Sequence, residues 1–121
     1  LPYIVIMVLR TLSNLRVSHT ELKVPAKFKS SEDPEFVKTL FEKSLVNYSA
    51  FQDYIEKFTA NWDVERIVFM DNLIIGTAIA ELTSFPSIPV QVTLDEWIEI
   101  PKYYSTPGRC TVINGVLDTI V

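Results

Sequence analysis

The run from Asp63 to Phe85, DVERIVFMDNLIIGTAIAELTSF, constrains this chain more than any other stretch. It holds no proline and a single glycine, and as one helix it would extend roughly 30 Å at about 1.5 Å per residue. At helical periodicity Glu65, Asn72, Gly76 and Thr83 fall on one narrow polar stripe, with Arg66, Thr77 and Glu81 beside it, and nearly everything else is apolar. So thin a polar face predicts the central helix of a bundle, the longest and most buried, from Asp63 to about Ser84. Asp71 and Glu81 interrupt the run well before about 20 apolar residues accumulate, which excludes a transmembrane span. Asp71 also breaks the pattern by projecting among Val64, Ile75, Ala78 and Leu82, where an acid is costly unless paired. Arg66 or another cation is its expected partner; the competing reading has Asp71 facing a protein partner.

The other helices announce themselves less evenly. Tyr3 to Leu15 opens with β-branched residues that suit a strand, while Ile4, Val8, Leu12 and Leu15 keep helical spacing. With no second strand to pair with, a helix is expected. Arg16 to Ser31 has no period and reads as a connector. Asp33 and Pro34 supply a helix cap and a first helical residue, and Phe36, Val37, Leu40, Phe41 and Leu45 trace an apolar face behind them. Ser49 to Gln52 has the form of a capping box, and Phe51, Tyr54, Ile55, Phe58 and Trp62 follow at spacings of three and four. Pro86 and Pro89 turn the chain after the central helix. Thr93 and Glu96 form the best capping box in the sequence, with Val92 and Trp97 at the two positions of a hydrophobic staple. Pro101 removes a helical hydrogen bond, so a kink or an early end is expected there. Thr106 and Pro107 cap a last helix whose stripe is Ile113, Val116, Leu117 and Ile120. The expected architecture is all-α, a compact bundle of five to six helices. Residues 1–31 form a helix and a basic connector, and residues 32–121 form the bundle.

Charge divides along the same line. Residues 1–31 carry five Lys or Arg against one acid, a net of +4, and residues 32–121 carry six against fourteen, a net of −8. A basic arm on an acidic body suits a nucleic-acid contact, although a solvated N-terminal surface is the plainer explanation. Cys110 is the only cysteine among the 121 residues, so no disulfide forms within the chain and a reducing, cytoplasmic setting is expected. Leu1 to Leu9 lacks the basic leader and cleavage site of a secretory signal. The chain starts without Met and is expected to be a piece of something longer.

Little in the sequence suits catalysis or a cofactor. His19 is the only histidine, and one histidine with one thiol makes no zinc site. No GxSxG motif is present, and Gly76, Gly108 and Gly115 stand too far apart to cradle a phosphate. Asp95, Glu96 and Glu99 read as an acidic first turn facing solvent. Tyr103 and Tyr104, beside Lys102 and Arg109, can stack on a single-stranded base; the plainer arrangement, and the favoured one, puts one tyrosine in the core and one on the surface.

The strings RIVFMDNLIIGTAIAEL, PSIP, VTLDEWIEI followed after one residue by KYY, and INGVLD come in an order that resembles the NusB transcription antitermination family. In that family a long helix ends in Glu-Leu, here Glu81 and Leu82, before a short proline-containing loop, here Pro86 to Pro89. A capped helix follows, here Asp95 to Lys102, and the chain closes on V-N-G-V-L-D, here Ile113 to Asp118. The match runs from Trp62 to Asp118 and more loosely over Glu35 to Phe58. The resemblance implies a non-catalytic helical protein that binds boxA-type single-stranded RNA with the ribosomal protein NusE in the transcription elongation complex, with no cofactor, metal or membrane. It also implies RNA contacts at an arginine-rich first helix and near a basic and aromatic pair before V-N-G-V-L. This chain has only Arg10 and Arg16 in its first stretch and Thr111 and Val112 at the pair. Within the matched region Lys102, Arg109 and Tyr104 are therefore the expected RNA contacts, and Asp71 the expected partner contact. Loss of both cations is expected to affect stability no more than ordinary surface changes. The alternative is a helical protein-interaction domain without RNA binding of its own; an arginine-rich helix upstream of Leu1 would separate the two. The same bundle also occurs as an RNA-binding module of rRNA cytosine methyltransferases.

Overall fold

The computed structural model describes residues 2–18, 20, 21, 24, 26–59 and 68–121. These residues are helical or irregular, with no strand among them. Six helices of ten residues or more are joined by one single-turn helix: α1 Pro2–Ser13, α2 Asp33–Val46, α3 Tyr48–Thr59, α4 Phe69–Ser84, α5 Val90–Glu99, α6 Pro101–Tyr104 and α7 Arg109–Ile120. The all-α expectation holds. The chain divides into two compact units, residues 1–34 and 35–121.

In the first unit α1 is a helix, as its spacing predicts, and the Thr11 hydroxyl returns a hydrogen bond to the Met7 carbonyl. Asp33 closes the unit by turning backwards. Its Oδ2 accepts the backbone N–H groups of Lys29 (2.8 Å) and Ser30 (3.0 Å), and its Oδ1 accepts the Ser30 hydroxyl. It therefore caps the turn before it, not the free amides of α2. The Ser30 backbone and hydroxyl hydrogen bonds hold the Asp33 carboxyl below the usual carboxylate range.

The second unit is organised by α4, with α3, α5, α6 and α7 all against it. Ile74, Ile75, Ala78 and Ile79 meet Ile55 of α3, Leu94 of α5, and Ile113, Val116 and Leu117 of α7 in one cluster. Gly76 and Ala80 are also buried, on faces other than the main apolar one. The thin polar stripe thus means what it predicts, a helix enclosed by neighbours. Two details differ. Val68 is extended, so α4 starts at Phe69 rather than continuing upstream through it; residues 60–67, including the expected helical start at Asp63, lie outside the described residues. Glu81, placed at the edge of the polar stripe by periodicity, is buried.

Glu81 also explains the largest departure from the sequence reading. The Thr93 hydroxyl donates to its Oε1 and the Trp97 indole N–H to its Oε2, each at 2.9 Å. With Thr93 turned inward, α5 begins a turn earlier than the capping box predicts. Pro89 is its N-cap, and the Pro89 carbonyl accepts the amides of Val92 and Thr93. Glu96 caps nothing and Val92 is exposed, so neither box nor staple forms. The box at Ser49 to Gln52 is absent too. The helix already runs through Ser49, with the Phe51 amide donating to the Asn47 carbonyl, and the buried Gln52 Nε2 has no partner among the described residues. Pro101 behaves as expected: α5 ends at Glu99 and Pro101 opens α6, where its missing N–H costs nothing.

Candidate functional site

The residues singled out for binding converge on the segment 101–109, between α5 and α7. Pro101 is buried and fixes the root of α6 against the core. Ser105 is extended, and its amide donates to the Pro101 carbonyl at 2.9 Å, closing the single turn. The chain then reverses through Gly108, whose φ of 90° is strained for any residue with a side chain. Gly108, not Thr106 or Pro107, is the N-cap of α7, and the Arg109 amide donates to the Thr106 carbonyl at 3.2 Å.

This geometry puts both tyrosines outside. Tyr103 is 69% exposed and Tyr104 64% exposed, so the arrangement with one of them in the core does not occur. Lys102 stands on the same turn and is also exposed, but its ammonium is bonded to the Glu99 carboxylate one turn back. That hydrogen bond raises the Lys102 pKa above its ordinary value. Arg109 is placed differently. Its side chain is 18% exposed, and its Nε lies 3.6 Å from Oδ2 of Asp71, which is 0% exposed. The other Asp71 oxygen accepts the Ser105 hydroxyl.

The structure therefore brings Lys102, Tyr104 and Arg109 together on one short segment and joins Asp71 to it from below. Asp71 is paired as an interior acid must be, by Arg109. Of the two readings offered for Asp71, burial corrects the one that has it face a partner: its carboxylate has no exposed surface to offer. Two participants escaped the sequence reading. Glu99, three residues before Lys102, was legible as a possible helical ion pair, and Ser105 left no local signal of its link to α4.

Elsewhere in residues 35–121 a cleft of about 550 Å³ opens between α3, α4 and the end of α7. It is lined by apolar groups, Phe51, Ile79, Leu82, Val90 and Ile120 among them, and the only titratable side chain in it is Tyr54. Among the described residues no group of His, Cys, Asp and Glu is arranged to hold a metal, and no helix is long and apolar enough to cross a membrane.

A sequence model of the NusB family matches residues 7–121, reaching well upstream of the motifs quoted above. The chain belongs to the NusB family. It is similar to proteins named transcription antitermination protein NusB in several bacteria. The Salinibacter ruber protein is 38% identical over 106 residues, covering 85% of this chain and 64% of the relative. The Natranaerobius thermophilus protein is 34% identical over 86 residues, 71% of this chain and 62% of the relative. The Dictyoglomus turgidum protein is 35% identical over 101 residues, 84% of this chain and 70% of the relative. The chain thus spans less than two thirds of the length of the first two of these NusB relatives. No solved structure matches it.

Proposed function

We propose that this chain is a non-catalytic, cytoplasmic antitermination module that binds boxA-type single-stranded RNA together with a NusE-like ribosomal protein in the transcription elongation complex. The observation that carries the reading is the exposed pair Tyr103 and Tyr104, held on the single turn α6 ahead of α7 in a member of the NusB family. Stacking of a base on an aromatic ring is worth about 1–3 kcal/mol and tolerates any sequence. Two adjacent rings beside Lys102 and Arg109 suit a single strand. Residues 32–121 are the bundle that presents this surface, and residues 1–31 add a helix and a basic connector.

Electrostatics make the RNA contact weak and partner-dependent. Lys102 is taken by Glu99 and Arg109 by Asp71, so the segment is near neutral on an acidic body. Each phosphate neutralised on a single strand contributes about −0.7 to the slope of log K against log salt, and a shallow slope of one or two contacts is expected. The test is titration of a labelled boxA-type strand, with and without the ribosomal protein, at two salt concentrations. Binding enhanced by the protein supports the reading. The pairing of both cations favours one alternative, a helical protein-interaction domain without RNA binding of its own. Absence of binding under all four conditions, with the helical circular dichroism intact, replaces the first reading with that one.

A further inference from the structure

Two carboxylates are buried in α4, and they are treated differently. Glu81 has a hydrogen-bond donor at 2.9 Å on each oxygen. Asp71, although 0% exposed, has the Ser105 hydroxyl on Oδ1 but no hydrogen bond to Oδ2 among the described residues. Arg109 Nε lies 3.6 Å from that oxygen, close enough for an ion pair and too far for a hydrogen bond. A half-satisfied buried charge is a poor stabiliser, because desolvation is offset only by good geometry. An acid serving stability alone would be bonded as Glu81 is. What the Asp71 arrangement does accomplish is to fasten the 105–109 turn to α4 and to hold one nitrogen of a guanidinium whose five N–H donors lie in one rigid plane. Among the described residues no protein group accepts a hydrogen bond from the Arg109 side chain.

We infer that Asp71 is a positioning residue for RNA, which fixes the α6–α7 turn through Ser105 and orients Arg109 from behind so that its remaining donors meet a phosphate of the strand stacked on Tyr103 and Tyr104. The inference rests on the RNA reading above. Without Asp71 the long arginine side chain is no longer ordered in advance, and the cost of ordering it returns at binding.

The experiment uses the full chain with the ribosomal protein and a labelled boxA-type strand, comparing wild type, Asp71→Asn, Arg109→Gln and the double variant at several salt concentrations. Circular dichroism sets a temperature at which each is folded. Asparagine keeps an acceptor for Ser105 and removes the charge behind Arg109. Loss of one ordered phosphate contact should make the salt slope shallower by about 0.7, roughly fivefold in affinity at 0.1 M relative to 1 M salt. The double variant should bind no more weakly than Arg109→Gln alone, since both changes remove the same contact. A purely structural Asp71 would lower stability and leave the slope of the folded protein unchanged; that result overturns the inference. So does tighter binding by Asp71→Asn, which would mean that Asp71 screens Arg109, or additive losses in the double variant. If Asp71→Asn does not fold, Ser105→Ala replaces it: a weakened affinity supports the inference and a wild-type affinity overturns it. A wild type that binds no RNA overturns the RNA reading and this inference together, whereas a wild type that binds with an unaffected Asp71→Asn removes this inference alone.

Discussion

The bond between α4 and α5 through Glu81 yields the sharpest test of how this unit is held together. Glu81 is 7% exposed and Thr93 1% exposed, and the carboxylate accepts from Thr93 and Trp97 at 2.9 Å each. Consider first Glu81→Gln. The Trp97 indole can only donate, so the amide oxygen must face it and the amide nitrogen must face Thr93. A hydroxyl can accept as well as donate, so Thr93 rotates and both contacts survive. What is lost is the strengthening of two hydrogen bonds by charge, about 1 kcal/mol. Thr93→Val is the harsher change. It is nearly the same shape, yet it leaves Oε1 of a buried carboxylate without a donor, at about 2–3 kcal/mol. Glu81→Leu strands both donors and should cost at least as much. Urea melts followed by circular dichroism at 25 °C measure all three from the shift in midpoint at constant slope. The reasoning fails if Glu81→Gln costs more than Thr93→Val, or if Thr93→Val costs under about 0.5 kcal/mol, the level of an ordinary surface change.

Three further outcomes follow from other parts of the structure. A Cβ at Gly76 would stand 3.9 Å from Phe51 Cβ, an ordinary contact, so Gly76→Ala should stabilise the protein by up to about 1 kcal/mol through helix propensity; a urea melt showing destabilisation would place α3 nearer than described. The carboxyl of Asp33 is held below its usual range by Ser30. That contribution is complete above the unfolded-state value and is lost as pH falls through the lower folded value, so the Ser30 amide resonance should titrate with a midpoint below that of an ordinary aspartate. Tyr103→Ala and Tyr104→Ala should each leave the melt within about 0.5 kcal/mol of wild type while weakening boxA-type RNA by about 1–3 kcal/mol for each ring that stacks; unchanged RNA affinity in both would remove the stacking platform.

Periodicity carried further in this chain than local signals did. The stripe on α4 specifies how many neighbours that helix must have, because it averages over many residues whose burial energies add. The spacing in α1, α3 and α7 likewise gives helices. Ile113, Val116 and Leu117 of α7 and Ile55 of α3 are buried, and Trp62 lies outside the described residues. The α1 series Ile4, Val8, Leu12 and Leu15 is exposed, with Leu15 beyond the helix end. Capping motifs fared worse, and for a common reason. A side-chain cap is worth about 1 kcal/mol, so a stronger demand for the same group wins. Thr93 has a good helix-starting sequence around it, but a buried carboxylate on α4 needs its hydroxyl. Asp33 has a helix to cap, but three donors reach it from Lys29 and Ser30. The competitor for Thr93 lies twelve residues away and is set by the fold, whereas those for Asp33 lie three and four residues upstream, in a turn without periodicity to announce it. The candidate site was legible to the same depth: Asp71 stood out as an acid in need of a cation, while its partner could not be chosen from spacing, since Arg66 is nearer in sequence than Arg109.

That choice of partner separates two cations which look alike in the sequence. Lys102 and Arg109 both flank the turn before α7, and both were expected to be dispensable for stability. Lys102 is exposed and pairs with an exposed Glu99; such pairs are screened and hold two mobile side chains at an entropic cost. Lys102→Gln should therefore leave the urea midpoint where it is. Arg109 faces a carboxylate with no access to water. Among the described residues, Arg109→Gln removes the cation beside it and leaves Asp71 with the Ser105 hydroxyl. Breaking a well-formed buried pair costs about 3–5 kcal/mol, and the 3.6 Å separation places this one lower, at about 2–4 kcal/mol. Restoring balance by adding Asp71→Asn should recover part of the loss, because the uncompensated charge goes with it. The comparison needs only four urea melts: wild type, Lys102→Gln, Arg109→Gln and Asp71→Asn/Arg109→Gln. If Arg109→Gln melts with Lys102→Gln, then water reaches Asp71 and the buried latch beneath the α6–α7 turn does not exist.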